Sequence, residues 1–284
     1  MAHAVHRFSA VARPVEPKYP TNLAILVIMA VALVGLAVAA LVRGAGVADA
    51  VLGGLVGALV VFTTWALARD LAPDDNPGAF VALVPAAAAV LLGANPMLMG
   101  PLTALILARV VNRSVGPPAT VLDRVGAVTL VFLMARDGHG LGVGVAAVLA
   151  FGLDAMLPER QPKGWLWALL AAVAAGLGIA LGGLESALVS PGPWTYAAMA
   201  TAGLFSLVII TQPPPRSPCD APPHAPLRRD RVQGGMVVAL LVLLPSLAGG
   251  DAAVQAWIVG WAACLGVALT RPLSLRSGAS SGSS

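Results

Sequence analysis

The feature that most constrains this chain is a succession of apolar runs, each close to the length of a membrane-crossing helix, with short charged segments between them. A helix needs about 20 apolar residues, usually 17–25, to cross a bilayer. The runs are 22–42, 47–68, 79–94, 97–111, 121–135, 140–157, 165–183, 194–212, 235–249 and 252–270. They predict an all-α, polytopic membrane protein with about ten transmembrane helices, or about eight if the pair split by Asn95-Pro96 is a re-entrant hairpin.

The charge content supports this class. Only 11% of the residues are charged, whereas a soluble domain carries about 25%. So few charges cannot cover a water-facing surface, and the bilayer is the expected partner. The net charge of +4 is what basic cytoplasmic loops would give. We therefore predict no nucleic-acid partner. The sequence does not indicate an oligomeric state.

The positions of the basic residues predict an orientation. If the N-terminus is cytoplasmic and the runs alternate, 15 of the 17 Lys and Arg residues fall on the cytoplasmic side, and the exceptions are Arg43 and Arg136. The positive-inside rule favours this arrangement over its inverse. The sequence thus predicts an inner- or plasma-membrane protein with both termini cytoplasmic. Its parts are a tail (1–21), a transmembrane domain (22–270) with a Pro/Arg-rich cytoplasmic loop (213–234), and a disordered tail (271–284).

Clustered carboxylates follow the second run, in Arg69-Asp-Leu-Ala-Pro-Asp-Asp-Asn-Pro77. Such clusters can hold Mg²⁺, which keeps several waters and bridges to phosphates. Asp154, at the end of the sixth run, is a further candidate, because an ionisable group there is expensive and usually paired. The predicted metal ligands are Asp70, Asp74, Asp75 and Asp154. The alternative is an acidic turn with N-capping aspartates.

Basic and amide side chains near the same edge are candidates for binding phosphate. Arg109, Asn112 and Arg113 share one helix face by their spacing. Arg160 and Lys163 follow the sixth run, and such cations can bind phosphate oxygens. The alternatives are a topogenic basic stop after the fourth run and an ordinary interfacial loop with a snorkelling lysine.

Two short segments resemble the aspartate-rich motifs of the intramembrane prenyltransferases of the UbiA superfamily. They are Asp70-x3-Asp74 after the second run and Asp154-x4-Glu159 after the sixth. The resemblance implies a helical enzyme that uses Mg²⁺ and a prenyl diphosphate at the cytoplasmic face. The chain departs from that pattern: Thr63-Thr64-Trp65 stands where an asparagine is expected, the second motif keeps one Asp and one Glu, and there is one helix too many.

The leading functional hypothesis is therefore a membrane-embedded enzyme or binding site for a phosphorylated or diphosphate lipid of prenyl type at the cytoplasmic face. One alternative is a ten-helix carrier for a small solute, which needs a polar cavity at midplane. The neutral candidates for its lining are Asn95, Thr103, Thr129, Thr201, Ser206, Ser246 and Gln255. Another is a non-catalytic subunit of a membrane complex that makes contact through 213–234.

Two local patterns predict structure directly. Thr120-Val-Leu-Asp123 has the spacing of a capping box and predicts a helix that starts at Val121. Pairs of glycines four residues apart predict close helix contacts. These pairs are Gly53 with Gly57, Gly140 with Gly144, and Gly178 with Gly182.

Overall fold

The computed structural model of the protein describes residues 9–183, 188–221 and 224–280, with side chains as far as Arg271. These ranges are helical apart from connecting segments and an isolated bridge between Pro218 and Pro226. The helices are α1 (Pro20–Val42), α2 (Val47–Leu71), α3 (Asn76–Val81), α4 (Leu83–Leu91), α5 (Met99–Asn112), α6 (Val121–Met134), α7 (Gly140–Met156), α8 (Gly164–Gly182), α9 (Pro193–Ile210), α10 (Arg229–Leu243), α11 (Gly250–Ala256) and α12 (Ile258–Ser280). A π-helical turn (Ala135–His139) joins α6 to α7, and a 3₁₀ turn (Leu244–Leu247) follows α10.

Several of these helices have the length and composition of membrane spans. In the described part of the chain, six helical stretches are long and apolar enough to cross a bilayer, where Val121–Met156, which comprises α6 and α7, counts as one stretch. A seventh is obtained if α11 and α12, which meet at a 78° bend, count as one broken span. The segments Asn76–Leu91 and Met99–Asn112 are apolar but shorter. The prediction of an all-helical chain with several helices compatible with membrane insertion is therefore confirmed.

The stretch from α6 to α7 doubles back on itself. Gly138 has a φ of 91° and interrupts the helical backbone, a conformation that glycine adopts readily. As a result, Nη2 of Arg124 near the start of α6 lies 3.3 Å from Oδ2 of Asp154 near the end of α7. In one continuous helix these residues would be about 45 Å apart. The runs 121–135 and 140–157 are thus two antiparallel helices.

The segments that connect successive helices lie alternately at two opposite ends of the helices, and long-range contacts join the segments at each end. At one end Asp70 meets Arg109, Asp74 meets Ser217, and Arg271 meets Gln212. We call this the polar end, and it comprises 9–22, 69–76, 109–124, 154–164, 209–221, 224–231 and 271. At the other end the Met97 N–H donates to Ala256 O (2.7 Å) and the Val189 N–H to Ala248 O (2.9 Å).

The two local patterns agree with the structure, with one exception. Thr120 and Asp123 form a reciprocal capping box at the start of α6. Gly178 and Gly182 face the backbone of 132–136, and Gly140 and Gly144 face side chains of α8. Gly57 packs on Leu36, but the space beside Gly53 is open, so the predicted close contact at Gly53 is wrong.

Candidate functional site

Asp70 is held by protein donors on all sides. Its side chain is fully buried, and Arg109 Nε donates to Oδ2 at 2.6 Å while Ser114 Oγ donates to Oδ1 at 2.7 Å. Arg13 Nη1 lies 3.9 Å from Oδ1, and Asn112 Nδ2 donates to the Asp70 backbone carbonyl at 3.1 Å. A buried carboxylate needs such partners, so Asp70 is the counterion that ties the end of α2 to the end of α5.

Asp154 is surrounded by three arginines. Its fully buried carboxylate lies 2.6 Å from Arg113, 3.3 Å from Arg124 and 3.4 Å from Arg231. Arg113 Nη2 also donates to the backbone carbonyl of Glu159 at 3.0 Å, and Arg231 Nη2 donates to that of Pro158 at 2.7 Å. One aspartate therefore joins the ends of α5, α6, α7 and α10 and fixes the loop after α7.

Asp74 and Asp75 serve turns and caps. Asp74 accepts hydrogen bonds from the backbone N–H groups of Arg216 (2.9 Å) and Ser217 (2.8 Å) and from Ser217 Oγ (2.6 Å). Partial burial alone would raise the pKa of Asp74, but these hydrogen bonds outweigh it and hold the pKa below its usual value. Asp75 is the N-cap of α3 and also accepts from Thr270 Oγ1. The turn and N-cap interpretation of this segment is confirmed for Asp75.

The predicted Mg²⁺ ligands are not gathered into one site. Asp70 and Asp154 are each paired with arginines, and Asp74 and Asp75 bind backbone and hydroxyl donors. Among residues 9–183, 188–221 and 224–271, no group of three or more His, Cys, Asp or Glu side chains is placed to hold a metal ion. The oxygens of these four acids are directed to separate protein donors and do not face one common pocket.

A cavity of about 570 Å³ lies at the polar end, and we call it the polar pocket. Three stretches of chain distant in sequence enclose it, together with Ser114: they are 13–22, 69–76, and the third wall formed by 217–221 and 224–227. Residues 217–221 of this wall are positioned by the carboxylate of Asp74 and by two backbone bonds, Asp220 N–H to Ser114 O (3.1 Å) and Ala221 N–H to Val115 O (2.8 Å). The pocket thus exists only because the N-terminal segment and the Pro/Arg-rich loop fold against the ends of α2 and α5.

Cations exceed anions in the lining of the polar pocket. Arg13 pairs with Asp220 and Lys18 with Glu16, each at 2.5 Å. Arg69 is the third lining cation; its Nη1 donates to Asn22 Oδ1 at 2.8 Å, and its guanidinium lies 5.1 Å from the centroid of the Trp65 ring. No carboxylate of the described residues lies within ion-pair distance of Arg69. Its charge is therefore positioned but not neutralised by a salt bridge.

The predicted phosphate-binding residues lie behind or outside this pocket. Arg109 binds the carboxylate of Asp70, Asn112 donates to the Asp70 backbone carbonyl, and neither lines the pocket. Arg113 forms a salt bridge with Asp154. Arg160 and Lys163 are exposed on the connection between α7 and α8 and do not line the pocket. Sequence reasoning missed its lining residues Arg13, Lys18, Arg69, Tyr19 and His224. The basic residues of the N-terminal segment could have indicated an anion-binding site, but basic residues near a membrane span also determine topology, and the sequence alone does not separate the two roles.

Several hydroxyls proposed for a midplane solute cavity bond to their own helices. Thr103 Oγ1 donates to Met99 O, Thr201 Oγ1 to Ala197 O, and Ser206 Oγ to Ala202 O, each at 2.8 Å. Such back-bonding satisfies a hydroxyl inside a helix without any external partner. These side chains therefore do not require a solute to complete their hydrogen bonds.

Comparison with known proteins returned no assignment. The chain matches no protein-family model, no curated protein and no solved structure. The geometry of the polar end is therefore the feature of the molecule that indicates a function.

Proposed function

We propose that this is a multi-pass membrane protein that binds a phosphate-bearing lipid in the polar pocket, at the cytoplasmic face. The proposed topology has ten helical passes with both termini in the cytoplasm. It is supported by the gathering of alternate connections at two opposite ends, and by the basic residues that concentrate at the polar end. Basic residues favour the cytoplasmic side.

The observation that carries the proposal is the position of Arg69, which has no salt-bridge partner among the described residues, in a pocket that opens beside a lipid-facing helix. Tyr19 lines the polar pocket and is 52% exposed. Below it, Leu23, Val27 and Val31 of α1 form an exposed apolar stripe. In the most apolar 18 residues of α1, only 6% are buried inside the protein. A lipid whose headgroup occupied the pocket would lay its chain along this stripe.

The chemistry of the lining suits a phosphate or diphosphate headgroup. Arginine presents several N–H donors in a planar fork that matches phosphate oxygens. Arg69 would bind the phosphate directly, while Arg13 and Lys18 would raise the local positive potential despite their acidic partners. Ser114, Asn76 and Tyr19 supply neutral hydrogen-bonding groups in the same lining. We propose binding and not a metal-dependent reaction, because the carboxylates required for such a reaction are engaged elsewhere.

Thermal unfolding of the detergent-purified protein tests the proposal with a matched set of probes. Geranylgeranyl diphosphate is compared with geranylgeraniol, which has the same chain, and with inorganic diphosphate, which has the same headgroup. A ligand at about 100 times its Kd stabilises the folded state by about 2.7 kcal/mol. We expect a higher Tm with the lipid diphosphate, a much smaller effect of either part alone, and the same result in Mg²⁺ and in EDTA.

The variant Arg69→Gln should lose the shift, and Arg160→Gln, which removes an exposed arginine outside the pocket, should keep it. A Tm shift of equal size in both variants would show that the lipid does not bind in the polar pocket. A shift with geranylgeraniol equal to that with the diphosphate would show that phosphate is not recognised.

A further inference from the structure

The cluster around Asp154 carries more positive than negative charge. The side chains of Arg113, Arg124 and Arg231 are only 5%, 6% and 2% exposed, and the fully buried Asp154 is the acid they share. Three neighbouring groups complete what we call the Asp154 cluster: Glu159, which pairs with Arg113 at 3.2 Å, and the Arg228–Asp230 pair at 3.1 Å. Four arginines thus face three carboxylates, which leaves a net charge of +1.

Uncompensated positive charge among buried groups is unfavourable, because the low-dielectric interior removes the hydration that would stabilise it. In the same cluster, Arg124 Nε is buried and has no hydrogen-bond partner among the described residues. A single bound monovalent anion would bring the charge of the Asp154 cluster to zero.

A cavity of the appropriate size lies against this cluster. It has a volume of about 30 Å³, and the charged residues of its lining are three arginines, Arg113, Arg228 and Arg231, and one carboxylate, Glu159. The volume corresponds to about one water molecule. A halide ion is of similar size. Cys219 and Leu227 line both this cavity and the polar pocket.

The arginines in this lining retain donors for a ligand. A guanidinium offers five N–H groups. Arg113 makes four hydrogen bonds to Asp154 and Glu159. Arg231 also makes four, to Pro158, Val111 and Asp154. Among the described residues, each therefore has one N–H left for a further acceptor.

We propose that one halide-sized monovalent anion, chloride under cellular conditions, binds in this cavity between Arg113, Arg228 and Arg231. The anion neutralises the Asp154 cluster and accepts the remaining N–H donors. Its role is to stabilise the junction of α5, α7 and α10. The site is distinct from the polar pocket and does not depend on the lipid proposed for it.

Salt exchange at constant ionic strength tests this inference. The Tm of the detergent-purified protein is measured in sodium gluconate, whose anion is much larger and more weakly charged per unit of surface than a halide, and in sodium chloride or bromide. A halide at about ten times its Kd should raise the Tm by about 3 °C or more. In crystals grown with bromide, a single anomalous peak is expected within hydrogen-bonding distance of Arg113 and Arg231. Equal Tm values in gluconate and chloride, or a cavity filled by water alone, would overturn the proposal.

Two variants change the charge of the cluster in opposite directions. Arg228→Gln makes it neutral and should abolish the halide effect; Arg228 is partly exposed, with 45% of its side chain accessible. Glu159→Gln raises the net charge to +2 and should lower the halide concentration needed for half of the Tm shift. Arg160→Gln, outside the cavity, should behave as the wild type. A halide effect that is unchanged in Arg228→Gln and in Glu159→Gln would contradict the assignment.

Discussion

Arg113 Nη2 lies 2.6 Å from Asp154 Oδ1, and Arg113 reaches this position as the C-cap of α5 in a left-handed backbone conformation with φ of 52°. Residues other than glycine adopt this conformation rarely. The contact connects the end of α5 to the end of α7, and Arg124 and Arg231 add α6 and α10 to the same carboxylate.

Replacing Asp154 should therefore be strongly destabilising. Asp154→Asn leaves three buried guanidinium groups without their shared counterion, and breaking such a buried pair costs about 3–5 kcal/mol. Denaturant or thermal unfolding in detergent measures the loss. Glu159→Gln is the matched control, since it removes the other acidic partner of Arg113 but its side chain is 64% exposed. We expect a loss below about 1 kcal/mol there, and similar losses in both variants would show that burial does not set the effect.

Close packing of α8 against the π-helical turn predicts opposite effects for two glycines on one helix. A methyl group added at Gly178 would lie 2.7 Å from Phe132 O and 2.5 Å from the Ala135 methyl, whereas nothing lies within 4 Å of the same position at Gly176. Gly178→Ala should destabilise the protein by about 1–3 kcal/mol. Gly176→Ala should stabilise it by about 0.5–1 kcal/mol, because alanine favours helix. Tm values in the same direction for both would contradict the packing of α8.

The capping box at α6 predicts a specific pattern of substitutions at Thr120. Its hydroxyl accepts from the Asp123 N–H at 3.2 Å, and Asp123 Oδ2 accepts from the Thr120 N–H at 2.9 Å. Thr120→Ala should cost about 1 kcal/mol of stability. Thr120→Ser keeps the hydroxyl and should cost much less. Equal stability of the alanine and serine variants would show that the cap contributes nothing.

The lowered pKa of Asp74 predicts a pH dependence of the loop that it holds. Because hydrogen bonds from Ser217 and Arg216 outweigh the effect of burial and lower this pKa in the folded state, the ionised carboxylate stabilises the loop at pH values above about 3.9, its ordinary value. That stabilisation is lost as the pH falls through the folded-state pKa. At pH 7, Asp74→Asn should speed amide hydrogen exchange at 216–217. The ratio of variant to wild-type rates should fall towards one in acid, and a ratio independent of pH would contradict the assignment.

The apolar runs predicted the helices because burial in lipid demands long stretches without charge, a property that is visible in one dimension. The connection of α6 to α7 could also be placed, since Arg136-Asp-Gly-His139 interrupts two apolar runs. The hydrogen-bond and salt-bridge partners of the acidic residues could not be predicted from the sequence. Asp70 and Arg109 are 39 residues apart, and Arg13 and Asp220 are 207 apart. Neither spacing carries any local signal.

The polar pocket was missed for the same reason. Its walls come from the N-terminal segment, the turn after α2, and residues 217–221 and 224–227, and no one of these has a recognisable binding motif. The clustered aspartates predict a metal site only if residues that are close in sequence also direct their side chains to one point in space. In the fold, successive residues such as Asp74 and Asp75 point to different donors.

The short helix α6 has a consequence for the surrounding bilayer. It has 14 residues and a length of about 21 Å, whereas α1 with 23 residues extends about 35 Å. A typical hydrocarbon core is about 30 Å thick. Val121, Leu122 and Val125 lie on the exposed face of α6, so in the proposed orientation the lipids beside this face would have to compress to avoid hydrophobic mismatch, while those beside α1 would not. The protein should therefore thin the membrane locally at α6 and favour thinner bilayers over sterol-thickened ones.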